Sequence, residues 1–218
     1  VVKKYKLKSK FKKTDFRVTI FGSARVKQGD KTYKLVYELA RRIGRHNMDI
    51  VTGGGPGLME AASAGHAAGS KKSDKHTHTV GLLIDMPRWQ KANKHLNIKQ
   101  EFSRFSERLD TFMKLSNAVV VAPGGLGTLL ELFYTWQLTQ VRHICNIPIV
   151  LLGDHYKELI RWIKKGPLKN NYLDSKDLDN IFLAENCDQA MAVILEAHEH
   201  FKKGGKNICL NIKKYKVL

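Results

Sequence analysis

The chain has 218 residues, 43% of them hydrophobic and 27% charged, which suits one soluble domain with a sizeable core. No apolar run approaches the roughly 20 residues of a membrane span, and the basic start lacks the apolar segment of a secretory signal. Lysine and arginine number 38 against 20 acidic residues, a net charge of +18 that attracts anions. The three cysteines, Cys145, Cys187 and Cys209, are widely spaced and form no CxxC pair, so a reduced, cytoplasmic compartment is expected.

Much of the positive charge sits at the ends. Residues 1–15 read as a basic N-terminal tail and 204–218 as a basic C-terminal segment, flanking a single domain over 16–203. Solvated tails are the favoured reading. Nucleic-acid binding through them is the alternative, but no aromatic-interleaved or zinc-finger pattern accompanies them.

Taken in chain order, "FRVTIFGS" (16–23), "MDIVTGG" (48–54), "TVGLLID" (79–85), "AVVVAPGG" (118–125) and "IPIVLLGD" (147–154) read as strands, with "IFLAEN" (181–186) as a sixth. Most are continuously apolar, as parallel strands covered on both faces are. Amphipathic stretches near 31–46, 57–69, 103–116, 127–141, 154–165 and 188–203 read as helices. Residues 70–78 read as a polar loop and 86–102 as an irregular segment over the sheet end. The alternation gives an α/β fold: a Rossmann-like, doubly wound parallel sheet with helices on both faces. Ligands of such sheets bind beyond the carboxyl ends of the strands, at the switch in strand order.

The turns at the strand ends are therefore informative. Gly22 and Ser23 end the first strand; Gly53, Gly54, Gly55, Pro56 and Gly57 come after the second; Pro123, Gly124, Gly125, Gly127 and Thr128 come after the strand at 118. Glycines let backbone N–H groups approach a ligand, and a helix start adds unpaired N–H groups and a positive dipole end. Gly124, Gly125, Gly127 and Thr128 fit a 5′-phosphate. No GxxxxGK[ST] occurs, and the glycines do not make the dinucleotide fingerprint, which weighs against a P-loop enzyme and an NAD-dependent dehydrogenase.

Two charged residues stand out. Thr128-Leu-Leu-Glu131 has the spacing of a capping box, and spacing alone favours a helix cap for Glu131 over contact with a substrate. Arg108 lies four residues after Arg104 on a helix whose buried stripe is Phe105, Leu109, Phe112 and Met113; an exposed arginine is the favoured reading, an anion-binding one the alternative. His76 and His78 form an HxH pair without a third ligand, so neither a metal nor a cofactor is expected.

"PGGLGTLLE" (123–131), with "ERLDTFMKLSNAVVVA" before it and "VTGGGPGLMEAASAGHAAG" (51–69), resembles the Lonely Guy (LOG) family, long labelled lysine decarboxylase-like. The resemblance covers about residues 16–165. It implies hydrolysis of the N-glycosidic bond of nucleoside 5′-monophosphates, AMP-like or cytokinin riboside monophosphates, by a homodimer or larger homo-oligomer. It also implies Arg108 and Glu131 as catalytic residues. Gly124, Gly125, Gly127 and Thr128 match its phosphate turn, and Gly53, Gly54, Gly55, Gly57, Met59 and Glu60 its other glycine loop. Leu109, Phe112 and Leu130 depart from the cytokinin-activating members. The large apolar residues Phe133, Tyr134 and Trp136 agree with a homodimer. The rival readings are a non-catalytic binder of a nucleotide or phosphorylated cofactor, resembling molybdenum-cofactor carriers, and a nucleic-acid-associated protein. A pyridoxal-phosphate decarboxylase is opposed by the chain's size and by the lack of a Ser-x-His-Lys sequence.

Overall fold

The computed structural model describes residues 12, 14–71, 77–85 and 91–204. Seven parallel strands form one sheet in the order β4-β3-β2-β1-β5-β6-β7. They are β1 (Arg17–Phe21), β2 (Asp49–Thr52), β3 (Thr79–Ile84), β4 (Ile98–Phe102), β5 (Ala118–Val121), β6 (Ile149–Leu152) and β7 (Ile181–Ala184). The helices are α1 (Lys31–Arg45), α2 (Leu58–Ser70), α3 (Phe105–Leu115), α4 (Leu126–Gln140), α5 (Tyr156–Ile163) and α6 (Cys187–Lys202). α1, α2 and α6 cover one face of the sheet; α3, α4 and α5 cover the other. The Rossmann-like doubly wound expectation is met. Strand order reverses at β1, where β1 pairs with both β2 and β5.

The central strands are apolar on both faces because both faces are covered. Val18 and Ile20 enter the α1/α2/α6 core, while Phe21 enters the α3/α4/α5 core. α2 lies close against α1: a Cβ at Gly65 would fall 2.1 Å from the Tyr37 carbonyl oxygen, and one at Gly69 2.0 Å from that of Arg41. Any larger residue would push the two helices apart.

The irregular reading of 86–102 needs correction at its end. Ile98–Phe102 is the edge strand β4, parallel to β3, with Leu82 opposite Gln100. Its sequence, IKQEF, buries Ile98 and Phe102 and leaves Lys99 and Glu101 exposed. An edge strand carries charge that a central strand would not, so it lacks the apolar run that marked the others. The tails at 1–15 and 204–218 lie almost entirely outside the described residues, as does His76. No helix among the described residues is long and apolar enough to cross a membrane.

His66 ties α2 to two strands. It is fully buried, with Nδ1 2.7 Å from the Thr79 hydroxyl and Nε2 2.8 Å from the Met48 carbonyl oxygen. A carbonyl only accepts, so Nε2 carries the proton and Nδ1 accepts from Thr79. Burial holds the pKa down, from 6.5 to about 4. The unfolded chain therefore takes up a proton at a pH where the fold does not. Stability is unaffected above about 6.5 and falls as pH drops toward 4, by about 3 kcal/mol from this group. Urea unfolding of wild type and of His66→Gln, which does not titrate, is expected to show that extra loss between pH 7 and 4 in wild type only. Parallel pH dependences would contradict it.

Candidate active site

The turns after β1, β2 and β5 meet at the point where strand order reverses. Ser23 stitches them together. Its N–H donates to the Pro123 carbonyl at 3.0 Å, and its carbonyl accepts from the Leu58 N–H at 2.9 Å. Its hydroxyl accepts from the Arg25 N–H within its own turn, so the backbone of Ser23 does the joining. Gly57 caps α2 at φ +68°, and a Cβ there would lie 2.4 Å from the Ser23 carbonyl oxygen. Both the left-handed φ and the close approach require glycine. Gly22 packs on Leu58 from the other side.

Arg108 comes from the second turn of α3 and is buried, 8% exposed, which overturns the exposed-arginine reading. Its position reflects the path of its side chain under the sheet end, which helical periodicity does not report. Nε donates to the Leu82 carbonyl at 2.7 Å, and Nη1 donates to Glu131 Oε1 at 3.1 Å. The guanidinium lies 5.0 Å from the centre of the Phe112 ring, and Phe112 meets Phe21 of β1 edge to face. Nη2 occupies the space a side chain at Gly53 would need: a Cβ there would lie 2.6 Å from Nη2 and 2.7 Å from the Met59 sulfur. The absence of a side chain at Gly53 thus leaves room for the Arg108 guanidinium and the Met59 sulfur. Phe112, a departure from cytokinin-activating members, is the platform beneath the arginine.

Glu131 is not a helix cap. α4 begins at Leu126 with Gly125 as its N-cap, so Thr128 is the third helical residue and Glu131 lies in the second turn. No side chain caps the helix. Thr128 is buried and folds back over Gly124, where a Cβ would meet Thr128 Oγ1 at 2.1 Å. The capping-box spacing is met in sequence but shifted by three residues from the true helix start. Glu131 pairs with Arg108 instead. Burial raises its carboxyl pKa to about 7, against the pull of Arg108. Burial also lowers the Arg108 pKa, with Glu131 opposing the change.

Beside the pair lies the start of α4. The first intrahelical bond runs from the Leu129 N–H to the Gly125 carbonyl at 3.0 Å, which leaves the N–H groups of the preceding turn to face outward. A Cβ at Gly125 or Gly127 would meet no atom within 4 Å, so this turn is open. The carbonyl before it, that of Ala122, accepts the Tyr156 hydroxyl at 2.9 Å. An anion can reach the backbone here, with the helix dipole behind it.

The remaining glycine-loop residues divide. Gly54, at φ +74°, and the buried Gly55 are held through their carbonyls by Asn93 Nδ2, at 3.2 and 3.1 Å. Asn93 is itself buried and was not singled out in the sequence; a lone asparagine in an irregular segment carries no periodic signal. Met59 faces Gly53 and Arg108, but its neighbour Glu60 turns toward α1 and lines a groove of about 420 Å³ with Tyr33, Tyr37 and Lys94. That lining includes neither Arg108 nor Glu131. At the opposite end of the sheet, ligand-type atoms of Asp15, Asp49 and His78 lie within 4.8 Å of one another. The His78 N–H donates to Asp49 at 2.7 Å, so Asp49 serves the backbone there.

The chain is similar to proteins of known kind. The family model described as possible lysine decarboxylase matches residues 59–194. The pyrimidine/purine nucleotide 5′-monophosphate nucleosidase of Escherichia coli K12 is 31% identical over 104 residues, 45% of this chain and 23% of that protein. The chain thus spans about a quarter of that relative's length. The probable cytokinin riboside 5′-monophosphate phosphoribohydrolase LOG4 of Oryza sativa subsp. japonica is 26% identical over 165 residues, 73% of this chain and 68% of that protein. Two solved structures share the fold: the molybdenum cofactor binding protein of Rippkaea orientalis (TM-score 0.60, 21% identity, 83% of this chain and 96% of that one) and the molybdenum cofactor carrier protein of Chlamydomonas reinhardtii (0.60, 20%, 84% and 98%). The family match runs through α2 to α6, more than half of the sequence, and the chain belongs to the possible lysine decarboxylase (LOG) family.

Proposed function

We propose that this protein hydrolyses the N-glycosidic bond of nucleoside 5′-monophosphates, releasing the base and ribose 5-phosphate. The observation that carries the reading is the pair of buried Arg108 and largely buried Glu131 beside the open Gly125–Gly127 turn. The turn would hold the 5′-phosphate, through backbone N–H groups and the dipole of α4. Glu131 would then face the ribose. Breaking the C1′–N bond develops positive charge on the ribose, which a carboxylate stabilises; the same carboxylate takes a proton from the water whose hydroxyl adds to C1′, and that proton ends on the released base. Arg108 would orient Glu131 and the nucleotide. The relatives named as nucleotide nucleosidase and phosphoribohydrolase support the reaction class. The carrier proteins share the fold at about 20% identity, and a fold alone does not assign an activity.

Replacing Glu131 by Gln keeps the length and removes the charge and the base. Glu131→Gln is expected to fold, to bind AMP by calorimetry, and to release adenine at least about 100-fold more slowly than wild type. Adenine release at close to the wild-type rate would overturn the assignment.

Glu131 must be ionised to act in this way, and its pKa is about 7. The free enzyme therefore loses its active form as pH falls through that value. A profile of kcat/KM is expected to be flat above about 7 and to decline about tenfold per pH unit below it. A decline on the alkaline side with a flat acid limb would assign Glu131 the role of an acid instead.

A homodimer belongs to the same reading. Of the apolar residues singled out in the sequence, Trp136 is buried, its indole N–H donating to the Asp177 carbonyl, and the Tyr134 hydroxyl donates to Asp110. Phe133 remains on the surface, in line with Leu130 and Leu126 along α4 and accompanied by Phe105 of α3. Spacings of four and three residues set Leu126, Leu130 and Phe133 on one helix face, which a second copy would cover. Light scattering at micromolar concentration is expected to give a dimer for wild type and a monomer for Phe133→Glu. A wild-type monomer would contradict the dimer.

A further inference from the structure

The end of the molecule where the strands begin, opposite Arg108 and Glu131, carries a second kind of surface. α5 leaves the C-terminal end of β6 with Tyr156 under the Ala122 carbonyl and runs back to that far end. It continues into a π-helical turn, Lys164–Leu168, and the Tyr172 N–H then closes onto the Pro167 carbonyl at 2.9 Å. This segment, "LIRWIKKGPLKNNYL" (159–173), contains Arg161, Lys164, Lys165 and Lys169 and no acidic residue. Arg161 is paired with Glu158. Lys164, Lys165 and Lys169 have no ion pair among the described residues.

Two large aromatic side chains belong to the same segment, Trp162 three residues before Lys165 and Tyr172 three after Lys169. Trp162 is 62% exposed and Tyr172 82% exposed. The aliphatic members of the segment do something else: Ile160 and Ile163 are buried, and Leu159, Leu168 and Leu173 pack on the core. What faces solvent is the two rings, Arg161, Lys165, Lys169, part of Lys164, and Asn170 and Asn171, with exposed Glu158 and Asp174 just outside the two ends of the segment.

We propose that this surface binds single-stranded nucleic acid, with Trp162 and Tyr172 stacking on bases and Lys164, Lys165 and Lys169 meeting phosphates. Stacking platforms set among cations are what a sequence-tolerant single-strand site requires. An acidic membrane would call for an exposed aliphatic face to enter the headgroup boundary, and here the aliphatic residues face the core. A second copy of the same surface would bring like charges together.

The test is fluorescence anisotropy of a labelled single-stranded oligouridylate of about twelve nucleotides, titrated with the whole chain from about 50 to about 200 mM salt. The triple variant Lys164→Ser, Lys165→Ser, Lys169→Ser is expected to bind more weakly, with the slope of log affinity against log salt reduced by about 2. Trp162→Ala and Tyr172→Ala are each expected to weaken binding about tenfold and leave the slope unchanged. Wild-type Trp fluorescence should be quenched by the oligonucleotide, and this quenching should diminish in Trp162→Ala. None of these residues lies at the nucleotide turn, so the variants should retain the folded circular dichroism spectrum and wild-type AMP turnover. A triple variant with wild-type affinity and slope would overturn the proposal, since the charge would then act elsewhere. So would aromatic variants that bind normally, or a wild type that binds vesicles of phosphatidylserine and phosphatidylcholine but not the oligonucleotide.

Discussion

The near-complete removal of the Arg108–Glu131 pair from water constrains the residues that touch it. Two charges removed from water are costly unless each is paired and its remaining hydrogen-bonding capacity is used. Arg108 meets that condition on several sides: the Leu82 carbonyl, Glu131, the face of Phe112 and the bare backbone at Gly53. Glu131 has only Arg108 among its side-chain partners within the described residues, and burial prevails over that partner in setting its pKa. A carboxylate held near neutrality in this way is poised to gain or lose a proton at physiological pH. The same burial that destabilises the charged form brings its titration close to neutral pH.

The rest of the site depends on bringing three strand ends together. In a parallel sheet the turns after β1, β2 and β5 can meet only where the strand order reverses. Ser23 joins them through its backbone, Gly57 removes the side chain that would keep them apart, and Asn93 holds the carbonyls of the glycine loop. These residues shape the meeting point of the turns without having to touch a substrate. The molybdenum cofactor proteins share this fold, and a fold alone does not assign an activity.

Much of the frame could be read from the amino-acid sequence because the central strands are buried on both faces and therefore continuously apolar. β4 could not, because Lys99, Gln100 and Glu101 interrupt it, as an edge permits. The glycine turns were legible, yet part of their meaning was not. Gly53 and Gly124 looked like ligand-facing glycines, but the space beside them is filled by Arg108 and Thr128; Gly125 and Gly127 are the open ones. Arg108 and Glu131 were ambiguous for a related reason. Local spacing reports neighbours three or four residues away, whereas this pair spans 23 positions and two helices. Only the resemblance to a family pointed to both together. Trp162 and Tyr172 left no periodic trace, since exposure of a large ring is a property of the folded surface.

The role proposed for Glu131 would turn on its protonation state, and that state can be observed directly. A carbon-13 NMR titration of the Glu131 side-chain carboxyl, assigned by comparison with Glu131→Gln, would report its pKa in the free protein without reference to turnover. Control by burial gives a midpoint near 7. A midpoint at about 4.3, the value of an unperturbed glutamate, would mean that burial does not control this carboxyl and would contradict the central claim.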